Sequence, residues 1–287
     1  MVGREDATSD SMTGEVRAPA PPGINLALYW HLMRLRARTR LQYRASLVLA
    51  WISQGFGYAG TFASIWVILN RFGGLGGWSW PEMAFLLGFH TFAYAIGAVF
   101  TFTQFRGMDA MVREGEFDML LVRPVNPWSF IVFSGVDLQY GSHFVLGAGL
   151  MITGAAALPL AWDAGLMLRF LASLLSAALL TGAMFTIIGA FAFVLGRSRY
   201  VFGLYFDLWE LSRYPIGIYT APLQIILFTV LPFAYMSFVP VSVMIGKPVP
   251  LLGGAAPVLA LAAGPILALM AALFWRACLR RHQDIGG

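Results

Sequence analysis

The sequence predicts an all-α integral membrane protein with six transmembrane helices. Three observations predict it. Of 287 residues, 59% are apolar and only 11% are charged, against about 25% charged in a soluble domain. The charges cluster and leave six windows of at least 23 residues with none: Ala45 to Asn70, Met83 to Phe105, Leu138 to Trp162, Phe170 to Gly196, Tyr214 to Gly246 and Pro248 to Trp275. A span takes about 20 residues at 1.5 Å each, so every window is long enough to cross. The windows also lack the apolar/polar alternation of barrel strands, and in lipid a helix satisfies its own backbone amides. The same composition excludes a disordered chain, which is polar and highly charged. A single cysteine, Cys278, excludes a disulfide scaffold.

Residues 1–23 are rich in Ala, Pro, Gly, Ser and acids and read as a disordered cytoplasmic tail. Residues 24–44 bring Ile24, Leu28, Leu32 and Leu35 at helical spacing, interleaved with Arg34, Arg36, Arg38 and Arg40. They read as a basic amphipathic helix on the membrane surface, with Tyr29 and Trp30 at headgroup depth. The rest forms a single membrane domain with spans at about 45–69, 82–104, 128–156 and 166–195 and a last span at about 256–276. The first window is too long and too far from Met1 for a signal peptide. Its Gly55, Gly57 and Gly60 permit close helix approach.

The fifth crossing has two placements. Residues 199–214 cross and 222–241 forms a broken re-entrant pair on the outer side, or 197–222 stays at the cytoplasmic interface and 223–241 crosses. Asp207, Glu210 and Arg213 burden the first placement. Pro215, Pro222, Pro232 and Pro240 burden the second, because prolines break helices.

Fifteen Lys and Arg residues then fall on the side of the N-terminus, the 105–127 loop and the C-terminus, and three on the other. That side is cytoplasmic, and the net charge of +5 needs no nucleic-acid partner to explain it. Catalytic motifs are absent. Gly246-Lys247 is followed by Pro248, and Val241 stands where a phosphate-binding loop needs glycine. His31, His90, His143 and His282 are scattered, with no metal-binding pair. Within the spans, Asp137 sits either near mid-membrane, where ionisable groups are usually functional, or solvated at the interface. Asp207, Glu210 and Arg213, at i, i+3 and i+6, fall on one helix face and can pair.

The most informative stretch is the cytoplasmic loop Glu114-Gly115-Glu116-Phe117-Asp118-Met119-Leu120-Leu121-Val122-Arg123-Pro124. The connection from Arg106 to Pro127, with a short helix from Glu116 to Val122 broken before by Gly115 and ended by Pro124, presents Met111, Phe117, Leu120 and Leu121 among mixed charges. That pattern suits docking on a protein groove. A second block reads Ser212-Arg213-Tyr214-Pro215-Ile216-Gly217-Ile218-Tyr219, then Leu231-Pro232-Phe233-Ala234-Tyr235-Met236. Together the two blocks resemble the type-2 permeases of ATP-binding-cassette (ABC) transporters, in a branch of uncharacterised bacterial permeases, over about residues 24 to 280.

The resemblance implies a permease subunit of the bacterial inner membrane that carries no ATP-binding motif, dimerises with a second copy or a paralogue, and exports its substrate. It implies two separate ATPase subunits holding ATP and magnesium, with no cofactor on this chain. Arg113, Glu114, Gly115, Glu116, Phe117, Leu120 and Leu121 are carried over as ATPase contacts, with the arginine helix beside them. The resemblance also selects the first placement of the fifth span. Phe56, Tyr58, Asp137, Asp207 and Glu210 are candidate pathway residues. The competing reading is an ion-coupled secondary transporter, which predicts inverted repeats that are not visible.

Overall fold

The computed structural model describes residues 26–196 and 198–286, and the expected 1–23 tail, Ile24 and Arg197 lie outside them. The described residues form helices joined by turns and loops, with one isolated bridge, Leu75 to Trp78, in a turn. Among the described residues three helices are long and apolar enough to cross a membrane, those beginning at Trp80, Ala164 and Gly253.

Helix α1, Leu26–Gln42, differs from the expected two-faced helix. At 100° per residue its arginines split into two rows, Arg34 with Arg38 and Arg36 with Arg40, and apolar residues fall between them. Tyr29 is buried, its ring 5.4 Å from that of Phe133, while Trp30 is exposed. Helix α2, Arg44–Phe72, buries Phe62, Ile65 and Leu69 and leaves most of its surface open. Gly55, Gly57 and Gly60 lie where an added Cβ would meet nothing, so within this chain they mediate no close approach. Gly73, with φ of +74°, ends α2, and three more left-handed glycines turn the chain by Trp78.

Helix α3, Trp80–Arg106, starts in a capping box between Ser79 and Glu82. It is the pillar of the molecule. Its apolar window is 83% buried, against 22% for the last helix, which therefore lies at the periphery. After the short helices α4, Met108–Arg113, and α5, Glu116–Leu121, comes α6, Pro127–Phe133, capped by the Asn126 side chain accepting from Ser129 N at 3.0 Å.

The stretch 128–156, expected as one span, is interrupted. The helix stops at Phe133 and resumes as α7, Gly141–Ala157. The cause is a local competitor for the backbone. Asp137 accepts from Gln139 N at 3.0 Å and turns residues 138–140 into a 3-10 turn. The freed groups find partners on α3: Thr103 donates to Asp137 at 2.6 Å, Gln104 to the Gly135 carbonyl at 2.7 Å, and Asp137 N to the Val99 carbonyl at 3.0 Å.

Glycines let α7 lie against α3, with Gly88 facing the backbone of Met151 and Gly154 that of Phe85. Helix α8, Ala164–Leu195, is capped by Asp163, which accepts from Leu166 N at 2.6 Å. The chain continues through α9, Arg199–Trp209, a 3-10 turn at Glu210–Arg213, α10, Ala221–Phe228, and α11, Phe238–Met244, to α12, Ala256–Gly286. Helix α12 crosses α8 at Gly264, whose amide donates to Ser176 Oγ at 3.0 Å. Pro265 inside α12 is accommodated at that crossing.

The segment between Tyr214 and Lys247 makes an excursion. Ile218 packs on Gly76, and Lys247 Nζ donates to the Gly77 carbonyl at 2.6 Å and pairs with Glu82 at 3.0 Å. Both ends of the segment therefore rest on the same glycine turn.

Candidate functional site

Two constellations carry the polar chemistry. The first is the hairpin α4–α5. Gly115 joins its halves at φ of +73°, a conformation that costs an L side chain about 1–2 kcal/mol. Asp109 is buried and lies 3.8 Å from Arg113.

The side chains of α5 divide in a way that short-helix periodicity does not reveal. Phe117 is 0% exposed, its ring 4.7 Å from Phe193 of α8 and 6.2 Å and 5.9 Å from Trp275 and His282 of α12. Leu120 is buried beside it. These two are anchors within the chain, which corrects the expectation that they face a partner. Leu121 is half-buried. The outward face comprises Arg113, Glu114, Glu116 and Asp118, with Met119 60% and Val122 84% exposed. Asp118 Oδ1 lies 3.0 Å from His282 Nε2, which fastens the hairpin to the end of α12. Met119, Val122 and His282 escaped the sequence reading. Met119 and Val122 directly flank Leu120 and Leu121, and six residues are too few for a helical period to assign inside and outside.

The second constellation is a buried polar cluster where α2, α3, α7 and the Glu210–Arg213 turn meet. Arg213 is 8% exposed, 2.7 Å from Glu210, and its guanidinium lies 4.7 Å from the Trp209 ring centroid and 5.5 Å from that of Tyr58. Tyr58 shares a hydrogen bond with His143 Nε2 at 2.9 Å. Ser142 donates to Gln54 at 2.8 Å, and Tyr94 meets Tyr140 hydroxyl to hydroxyl at 3.3 Å. His90 Nδ1 lies 3.3 Å from Ser237 Oγ, which ties α3 to the start of α11. His90 Nε2, Trp209 Nε1 and the Tyr205 hydroxyl are buried and have no hydrogen-bond partner among the described residues.

The candidate residues named from sequence thus separate. Tyr58 and Glu210 come together through Arg213, with Glu210 half-exposed at the edge. Asp207 is exposed and one turn away, because the chain tightens into a 3-10 turn after Trp209. Phe56 is exposed on the open face of α2. Asp137 is buried in its own cap, so it is neither a solvated interface residue nor an unpaired mid-span charge. Arg34, Arg36, Arg38 and Arg40 are all exposed on α1.

A sequence model of the ABC-2 family transporter proteins matches residues 56–286. The chain belongs to that family. No curated protein and no solved structure matches it. Membership makes this ABC-2 chain the membrane component of an ABC transporter, and implies an ATPase partner. Both constellations lie within the matched residues, except for Gln54. Of this ABC-2 protein's described elements, α1 alone lies wholly outside them.

Proposed function

We propose that this chain is the permease subunit of an ABC exporter, that it forms the translocation pathway as a dimer, and that it docks two separate ATPase subunits through the α4–α5 hairpin. The observation that carries the proposal is the division of α5. A hairpin anchored by Phe117 and Leu120 and fastened by Asp118 to His282 is rigidly joined to α8 and α12, while Arg113, Glu114, Glu116, Met119 and Val122 are exposed to a partner. Closure of the ATPase dimer on ATP then moves the hairpin, and the hairpin moves the bundle between inward and outward access. ATP and magnesium are held by the ATPase. The exposed arginines of α1 meet the ATPase or the cytoplasmic leaflet beside it.

Both termini are cytoplasmic in this reading, in a bacterial inner membrane. Six crossings result when α2, the α6–α7 pair and α9 span together with the three long helices. The excursion between Ile218 and Lys247 is then the re-entrant outer pair, supported by its return to the turn it left. The open face of α2, with Phe56 and the glycines at 55, 57 and 60, meets the second permease copy or a paralogue. The polar cluster around Arg213 lies behind that face, next to the pathway.

The test is co-purification. Glu116→Lys with Met119→Ala reverses one charge and removes one apolar contact on the free face without touching the core. The variant should insert into membranes at the normal level and lose the ATPase on an affinity column. Full retention of the ATPase would remove the hairpin from the docking surface.

A further inference from the structure

A cavity of about 480 Å³ opens between α8, α9, α12 and the turn at Thr229–Pro232. Its wall includes Ile188, Phe191, Leu204, Tyr205, Ile266 and Met270. Leu204, Ile266 and Met270 are exposed at the rim, and α8 and α12, which form two of the walls, are apolar enough to cross a membrane. The cavity therefore faces lipid.

Its chemistry restricts what fills it. A bound water needs two to four polar partners. Of its eighteen lining residues only Tyr205, Tyr235 and Thr229 carry polar side-chain atoms, and the Thr229 hydroxyl already donates to the Ile225 carbonyl at 2.7 Å. Water is thus poorly held. A helix from a second copy is about 10–12 Å across, so one turn of 5.4 Å occupies ~400–600 Å³. The cavity takes no more than that single turn, too little to seat a partner helix. A flexible hydrocarbon chain fits both the volume, within the ~300–1,000 Å³ of ligand sites, and the apolar lining.

We infer that the cavity is a binding site for the acyl chain of a membrane lipid, held against the broken fifth-span segment formed by α9 and the Thr229–Pro232 turn. The site belongs to the single chain. It does not depend on the permease reading, because the chain that occupies it comes from the surrounding bilayer.

The experiment reconstitutes the full chain alone in vesicles of phosphatidylethanolamine and phosphatidylglycerol. The vesicles are doped with a phosphatidylglycerol carrying a photoreactive diazirine in one acyl chain. After irradiation, labelled residues are mapped by mass spectrometry. Labelling at Ile188, Phe191, Leu204 and Tyr205 should exceed that at Leu168 and Leu171, exposed on the same α8, by about ten-fold, the ratio that about 1.4 kcal/mol of preference gives. Ala263→Trp, which fills the cavity from α12, should bring the two sets level. Met270→Trp at the exposed rim should do the same in part, and covers the case in which the interior variant fails to fold. Even labelling of all lipid-facing residues would overturn the site. Wall residues that stay unlabelled, but become cross-linked to a second copy, would overturn the lipid in favour of a dimer contact. Loss of ATPase co-purification leaves this result unchanged, so the two readings fail separately.

Discussion

Replacing Phe117 by alanine separates an anchor from a docking residue. The ring is fully buried between α5, α8 and α12. Truncating a buried Phe costs about 3–5 kcal/mol, from lost transfer energy and from the cavity left behind. In the proposed topology the hairpin faces the cytoplasm, so that transfer cost applies there more fully than between lipid-facing helices. At about 2–4 °C per kcal/mol for a chain of this order of size, the melting temperature of the purified protein should fall by roughly 10 °C. Met119→Ala, on the same helix but mostly exposed, should shift it by no more than about 1–2 °C. Melting is followed by thiol-reactive dye at Cys278, the lone and buried cysteine, and ATPase retention by affinity column. The anchor reasoning predicts that Phe117→Ala loses stability and that Met119→Ala loses partner binding. A Phe117→Ala protein with unchanged melting and no bound ATPase would refute it and return Phe117 to the docking surface.

Other expectations follow from single contacts. Gly115→Ala meets no neighbour, so its cost is backbone alone, about 1–2 kcal/mol, and Gly115→Asn should recover part of it in a melting assay. Gly264→Ala drives a methyl into the Ser176 backbone and should lower folded yield far more than Gly254→Ala, where the space is open. Glu210→Gln should cost less than about 1 kcal/mol, because the carboxylate is half-exposed and two rings still hold the guanidinium, whereas Arg213→Ala should cost more through lost packing. In a double-mutant cycle, Lys247→Met and Glu82→Gln should couple by about 0.5–1 kcal/mol, read from the melting of the four proteins.

The long helices were legible because twenty-residue apolar runs have few alternatives in lipid, and α3, α8 and α12 follow the charge-free windows closely. The break at Ser134–Asp137 was not, because it depends on α3, thirty residues upstream, where Thr103 donates to the Asp137 carboxylate and Gln104 to the Gly135 carbonyl. Arg213 was placed in a cluster with Glu210 and Asp207 by spacing alone. Its aromatic cage of Trp209 and Tyr58 requires α2 to lie beside the turn, which no local pattern encodes. The short helix after Gly115 was recognisable as an element, yet the orientation of α5 was inverted at Phe117. A phenylalanine among charges on a short helix looks exposed until α8 and α12 are brought against it.

The paired contacts of Ile218 and Lys247 on one glycine turn have a consequence for how the chain tolerates change in length. A segment whose ends must reach distant supports cannot be shortened without pulling on them. Here the two ends are already together, and between them Phe233, Met236 and Phe238 are buried and Ser237 meets His90 of α3, so a change in length is best absorbed at the exposed Thr229–Val230 step. That step is the joint of the excursion, where the link between α10 and α11 can lengthen while α11 keeps its seat against the bundle, as a hinge pin can be exchanged without moving the door.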